Sequence, residues 1–295
     1  MNLLRTTSGL PIGFRRTRSA WQQDLAALLA FARKASFSFV DFGPIDASAA
    51  RSVVSDGVAI GTADLLDWSS MVSPDAGQRA AAVIANASHM RSLAGVGVTR
   101  FLTVIVPAEP AAARRDNFAW AVDSYRSLAR AASELGASIL IEGAPGRPPH
   151  FANLACTPSD LRAFIAEIDS PAIGVNYDPS HLVRMGVDPI RFLREFASRI
   201  GHVHAKDTLI LPEARYEHGS LQQATFAQPF VYGAFDWRYV LPGRGSVPWK
   251  EVFSALAEVG YEGKVSIELE DADYLGPAER EQQGLLEAAR TLTAC

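Results

Sequence analysis

Short apolar runs alternate with amphipathic stretches almost from one end of the chain to the other. Runs of five to seven residues rich in Val, Ile, Leu and Phe predict strands at Leu10–Phe14, Phe37–Phe42, Val58–Thr62, Arg100–Val106, Ser138–Glu142, Ala172–Asp178, His202–Lys206 and Lys264–Leu269. Between them the period lengthens to that of a helix. In NFAWAVDSYRSLARAASELG, Phe118, Val122, Tyr125 and Leu128 fall on one face, and Gly136 closes the segment. Thr157 before Pro158 and Asp160 marks a helix start, and Asp188–Pro189 repeats the signal. A further helix runs from Ser246 or Pro248 to Gly260. Eight strands alternating with helices define an α/β chain, either a closed (β/α)8 TIM barrel or an open doubly wound sheet. No Gly-rich turn follows the first strand, which favours the barrel.

One segment breaks the alternation. Residues 208–245 separate the seventh strand from the helix that follows it, too long a connection for a simple turn. In a barrel this insertion lies on the C-terminal face, where active sites form, so it is expected to be an active-site loop. The 295 residues then read as a single barrel domain, residues 1–295, because barrels of this type commonly use 200–250 residues or more.

Composition narrows the function classes. Hydrophobic residues make up 48% and charged residues 20%, which excludes disorder. Lys+Arg total 28 against Asp+Glu 32, a net charge of −4, so neither nucleic acid nor an anionic membrane is an expected partner. The two cysteines, Cys156 and Cys295, form no disulfide framework and no C-x-x-C knuckle. The start, MNLLRTTSGLPIG, lacks the apolar core of a signal peptide, and no run approaches the ~18 apolar residues of a membrane span. A cytoplasmic location is expected.

Chemistry concentrates at the ends of the last four strands. ILIEG carries Glu142, GVNYDPSH carries Asp178 and His181, HVHAKD carries His202, His204 and Lys206, and VSIELED carries Glu268 and Glu270. Strand alternation puts His202, His204 and Lys206 on one face, and Glu268 with Glu270 on another. Carboxylates and an imidazole gathered at one rim must take up protons or surround a cation. An oxygen-rich set with one imidazole suits Mn2+, with Mg2+, Co2+ or Zn2+ as alternatives. A lone strand-end carboxylate equally suits a helix cap, and Asp178 before Pro179 is placed to serve as one.

YDPSH, HVHAKD, LPGRGSVPW and GYEGKVSIELED resemble the sugar (phosphate) isomerase/epimerase family with the xylose-isomerase-like barrel. The likeness is to the subgroup with H-V-H-A-K-D-T on the seventh strand and S-I-E-x-E-D on the eighth. It runs from about Ala137 to the C-terminus. The resemblance implies a metal held by Glu142, Asp178, His204 and Glu268. It also implies a sugar substrate whose carbonyl and neighbouring hydroxyl meet that metal, with Glu142 and Glu268 moving protons on opposite faces through an enediolate. His181 would then bind a substrate oxygen. Lys206 would hold a hydroxyl or act in catalysis, unless it is spent on a salt bridge to Glu268 or Glu270. His202 lies deeper and reads as a packing residue.

In the insertion, Trp237, Arg238, Tyr239 and Arg244 have the side chains that stack on or bond to a sugar, though such a cluster also suits a subunit contact. Arg15, Asp64 and Trp68 are further pocket-wall candidates. The chain departs from the ketose 3-epimerase pattern in two places. Pro148 stands where a second substrate-binding Glu is expected, with His150 two residues on as a substrate-binding candidate, and Lys206 has no counterpart there. The substrate end must differ, which admits β-elimination from an inosose or a 3-keto-glycoside, C-glycosides included. An abasic-site endonuclease would need three zinc ions and more than six His, and a barrel that only binds sugar would not need all four ligand types. The expected partner is a small sugar or keto-sugar, in a homo-oligomer or with a small partner subunit.

Overall fold

Every one of the eight expected strand segments forms a strand. The structure is a computed structural model and describes residues 3–147 and 151–295. The strands are β1 (Ile12–Arg15), β2 (Phe39–Phe42), β3 (Ala59–Asp64), β4 (Arg100–Thr103), β5 (Ser138–Glu142), β6 (Ile173–Tyr177), β7 (Ile200–Ala205), β8 (Asp207–Ile210), β9 (Trp237–Val240) and β10 (Val265–Ile267). All but β8 and β9 pair in parallel as a closed barrel in the order β1-β10-β7-β6-β5-β4-β3-β2. Glu142 pairs in register with Asn176, Asn176 with His202, and Ser266 with His204. The polar groups noted in the sequence therefore rise from four adjacent strands at one end of the barrel.

Large side chains fill the barrel where neighbouring strands offer none. A Cβ at Gly61 would stand 2.5 Å from the Phe39 ring, and one at Gly174 would stand 2.8 Å from Leu140 Cδ2. Such alternation of large and absent side chains is how a small barrel packs its interior. Outside it, helix Arg114–Glu134 buries Val122, Tyr125 and Leu128 of the expected face, with Ala121 and Ala132 beside them, while Phe118 packs against the core only partly buried. The caps are formed as well. Thr157 accepts from the Asp160 N–H, Asp188 accepts from those of Ile190 and Arg191, and Gly136 takes φ +60° after its helix. None of the described helices is long and apolar enough to cross a membrane.

The insertion differs from the expected loop. Its two ends pair as an antiparallel ribbon, β8 with β9, with Thr208 opposite Tyr239 and Ile210 opposite Trp237. A short helix, Pro212–His218, follows β8. The two ribbon strands lie almost thirty residues apart in sequence, so local periodicity cannot reveal their pairing. The buried Asp207 carboxylate ties the root of the ribbon. It accepts from the N–H groups of Thr208 (2.8 Å), Gly243 (2.9 Å) and Val247 (2.9 Å) and from Trp249 Nε1 (3.1 Å).

Candidate metal centre

Each of the four strands β5, β6, β7 and β10 brings one group to the C-terminal rim. Glu142 ends β5 inside the ladder, while Asp178 and Glu268 lie just past the last paired residues of β6 and β10. One ligand atom from each of Glu142, Asp178, His204 and Glu268 lies within 4.8 Å of the others. His204 Nδ1 stands 3.3 Å from Glu142 Oε1 and 3.7 Å from Glu268 Oε2. Asp178 uses one oxygen as the expected helix cap, accepting from the Ser180 N–H at 2.9 Å. Its other oxygen, Oδ2, makes no hydrogen bond among the described residues and stands 3.3 Å from Lys206 Nζ and 3.5 Å from His181 Nε2. Capping thus occupies one oxygen of this carboxylate and leaves the other turned toward the cluster.

The electrostatics show a centre with excess negative charge. Burial opposes a charge on His204, yet Glu142, Asp41 and Glu268 push its pKa up to about 10. Burial likewise opposes the Lys206 ammonium, and Glu268, Glu270 and Asp178 overcome it and hold its pKa well above the ordinary value. Burial would raise Glu142, but His204 and His181 hold it well below the usual carboxylate range. Glu268 is lowered too, Lys206 outweighing burial. A buried cluster that draws protons onto the one imidazole of the four, with an unbonded carboxylate oxygen turned into it, fits a divalent cation by donor type, number and charge.

The surrounding groups fall into three sets. His181 faces the centre, Nε2 lying 3.3 Å from Glu142 Oε1, while its Nδ1 is 2.7 Å from the Tyr239 hydroxyl. Lys206 is 2% exposed; its Nζ bonds Glu268 and lies 3.0 Å from Glu270 Oε2 and 4.4 Å from the Tyr239 ring centroid. The salt bridge weighed for Lys206 is therefore formed, and formed at the centre itself. Arg15 reaches the same place, its Nε 3.3 Å from Glu268 Oε1 while its terminal nitrogens clamp Asp64 at 2.9 and 2.6 Å.

Of the insertion candidates, Trp237 and Tyr239 lie against Arg184 at 4.6 and 5.6 Å. Arg238 and Arg244 are engaged elsewhere. Arg238 bonds Asp273 at 2.8 Å, and Arg244 bonds Glu287 at 2.6 Å over the Tyr274 ring. Both point to carboxylates of the C-terminal segment, a tertiary pairing that residue type alone does not reveal. Trp68 lines a separate hollow with Asp64 and Leu65. His150 and Pro148 lie outside the described residues.

Asp41 was not singled out in the sequence. It sits on β2 between the buried Val40 and Phe42 and is itself fully buried. Its Oδ1 accepts from the Thr62 N–H, and its Oδ2 lies 2.7 Å from His202 Nε2 and 3.6 Å from His204 Nε2. Burial would raise its pKa, but the two imidazoles pull it far below the ordinary value. The signal was present as a charged residue inside the apolar run FSFVDF. His202, expected to be a packing and hydrogen-bonding residue, is Asp41's main partner.

The sequence profile of the family described as xylose isomerase-like TIM barrel matches residues 18–295. The inosose dehydratase of Clostridium tetani is 34% identical over 121 residues, 41% of this chain and 38% of that protein. The chain spans less than half the length of the curated relatives it matches. Among solved structures, a 3-keto-D-glucoside 4-epimerase from E. coli superposes with a TM-score of 0.68 at 16% identity, covering 95% of this chain and 99% of that one. The IOLI protein with a bound zinc atom gives a TM-score of 0.68 at 18% identity, over 96% of this chain and 95% of that one. These last two share the fold.

Proposed function

Because the chain belongs to the xylose isomerase-like TIM barrel family, we propose that it is a divalent-metal-dependent sugar isomerase or epimerase acting on a ketose or keto-sugar. The observation that carries this reading is the convergence of Glu142, Asp178, His204 and Glu268 within 4.8 Å. These four would hold the ion, which the donor set suits to Mn2+, and when bound it supplies Lewis-acid polarisation of a substrate carbonyl. Glu142 and Glu268 stand at the two ends of the β5-β6-β7-β10 arc, so they flank whatever lies above it. Both are held ionised by cationic neighbours, the state a base requires. In isomerisation the Glu that takes the proton from the carbon next to the carbonyl returns it to the neighbouring carbon of the enediolate; in epimerisation the other Glu, having first taken up a proton from solvent, delivers it to the opposite face, and the first gives its proton back to solvent. His181 Nε2 holds a substrate oxygen, and Lys206 Nζ steadies charge on the oxygen side. The insertion, with Tyr239 packed against both, keeps water from the reacting carbons.

A second outcome shares the same first step. The identity to inosose dehydratase favours a reading in which the carbanionic intermediate expels a β-hydroxyl or glycoside. The Lys206 ammonium would then donate to the leaving oxygen. Two measurements test the proposal. Metal analysis of the purified protein should give about one divalent ion per chain, falling sharply in Glu268→Gln; a metal-free wild type after growth in Mn2+ overturns it. Ketoses, inososes and 3-keto-glucosides are then incubated in D2O. Deuterium in recovered sugar supports isomerase or epimerase, a released aglycone or enone supports lyase, and neither with any substrate refutes both.

A further inference from the structure

Beside the metal centre lies a cavity of about 480 Å³, lined by Arg184, Trp237, Arg114, Asp160, Phe151 and Leu221, among others. Its volume falls in the range of about 300–1,000 Å³ typical of small-molecule sites. It adjoins the centre on two sides. Arg184 ends helix Pro179–Arg184, one turn beyond His181, and Cys156 in the cavity wall packs against Gly143, next to Glu142. Tyr239 touches both: its ring centroid is 5.6 Å from the Arg184 guanidinium and 4.4 Å from Lys206 Nζ.

Arg184 differs from the other arginines near the centre. Arg15, Arg114, Arg238 and Arg244 each pair with a carboxylate. Among the described residues the Arg184 side chain has no salt bridge and no hydrogen bond, and its Nε is shut off from water without an acceptor. Its guanidinium carbon lies 4.6 Å from the Trp237 ring centroid and 5.6 Å from that of Tyr239, so two aromatic faces hold it while its donors keep no acceptor among the described residues. A fixed guanidinium edge is matched by two oxygens of an anion. The neighbouring Arg114–Asp160 pair is neutral, so the cavity carries the uncompensated Arg184 charge.

We propose that this cavity is a subsite for an anionic group on the substrate, a carboxylate or a phosphate, held by Arg184. The orientation that follows rests on the function proposed above. Glu142, Asp178, Glu268 and Glu270 repel an anion from the centre, so its anionic end lies on Arg184 and its reacting carbons at the metal ligands. The subsite makes the enzyme selective for sugar acids, sugar phosphates or acidic glycosides over neutral sugars.

The test is calorimetric binding of D-glucuronate, D-glucose 6-phosphate and D-glucose to the full chain, in parallel with metal analysis of the same preparation. At least one anion should bind about tenfold to hundredfold more tightly than D-glucose. The tighter of the two identifies carboxylate or phosphate. Arg184→Met should bring both anions to the level of D-glucose, and Arg184→Lys, which keeps the charge but not the fork, should retain part of the preference. Equal binding of all three probes, no binding of either anion, or an undiminished preference in folded Arg184→Met overturns the subsite. Loss of the subsite with metal present leaves the metal reading standing; an anion preference without bound metal does the reverse.

Discussion

Asp41 touches no substrate in this reading, yet Asp41→Asn should weaken metal binding. With Nδ1 of His204 turned toward Glu142 and Glu268, its Nε2 lies 3.6 Å from Asp41 Oδ2, too long for a hydrogen bond but close enough for the carboxylate charge to favour a proton there and leave the Nδ1 lone pair for a metal. In Asp41→Asn the amide oxygen can still accept from Thr62, but the amide hydrogens then face the ring N–H groups of His202 and His204. The charge-assisted bond to His202 is lost, worth about 1.5–3 kcal/mol of stability. With the carboxylate charge gone, the proton on His204 Nε2 loses its electrostatic support, and metal affinity should drop about 10- to 100-fold, the range seen when a ligand's outer partner is removed. The assay is calorimetric titration of Mn2+ into chelator-stripped wild type, Asp41→Asn and Glu281→Gln. Glu281 is a matched control, buried and bonded to Trp21 and Gln22 but to no ligand. The reasoning fails if folded Asp41→Asn binds Mn2+ as tightly as wild type, or loses no more affinity than Glu281→Gln.

Three further outcomes are expected. Saturating the stripped protein with Mn2+ at about 100 times Kd should stabilise it by about 2.7 kcal/mol and raise its melting temperature by roughly 4–5 °C; no rise in scanning fluorimetry would contradict the metal centre. Lys206→Met leaves Asp178, Glu268 and Glu270 without their shared cation and should cost about 3–5 kcal/mol in the metal-free protein, with Mn2+ restoring more stability than it gives wild type. Denaturant unfolding with and without Mn2+ reads both effects, and a metal-free variant as stable as wild type would show that the ammonium is not needed there. Thr157→Ala removes a formed helix cap and should cost about 1 kcal/mol without changing Mn2+ affinity; an altered affinity would mean that this helix start acts on the centre.

The barrel was legible because its evidence is local. Strand periodicity, the Thr157 and Asp188 caps and the Gly136 terminator each act within a few residues, and the alternation of elements then leaves few topologies. That acidic and imidazole groups meet at one rim was legible for a related reason, since parallel strands around a closed barrel deliver their ends there, whereas the choice of Glu142, Asp178, His204 and Glu268 among them came from the family resemblance. What the sequence could not show depends on partners far along the chain. Asp41 is distinguished by His202, 161 residues away, and Arg238 and Arg244 are taken up by Asp273 and Glu287. The insertion becomes a ribbon because Asp207 gathers donors up to Trp249. Arg184 looks like any helix-end arginine until the fold surrounds it with two rings and a cavity and gives it no carboxylate among the described residues. Backbone propensity is set by neighbours in sequence, whereas charge compensation is set by neighbours in space, and only the tertiary structure decides which side chains are satisfied.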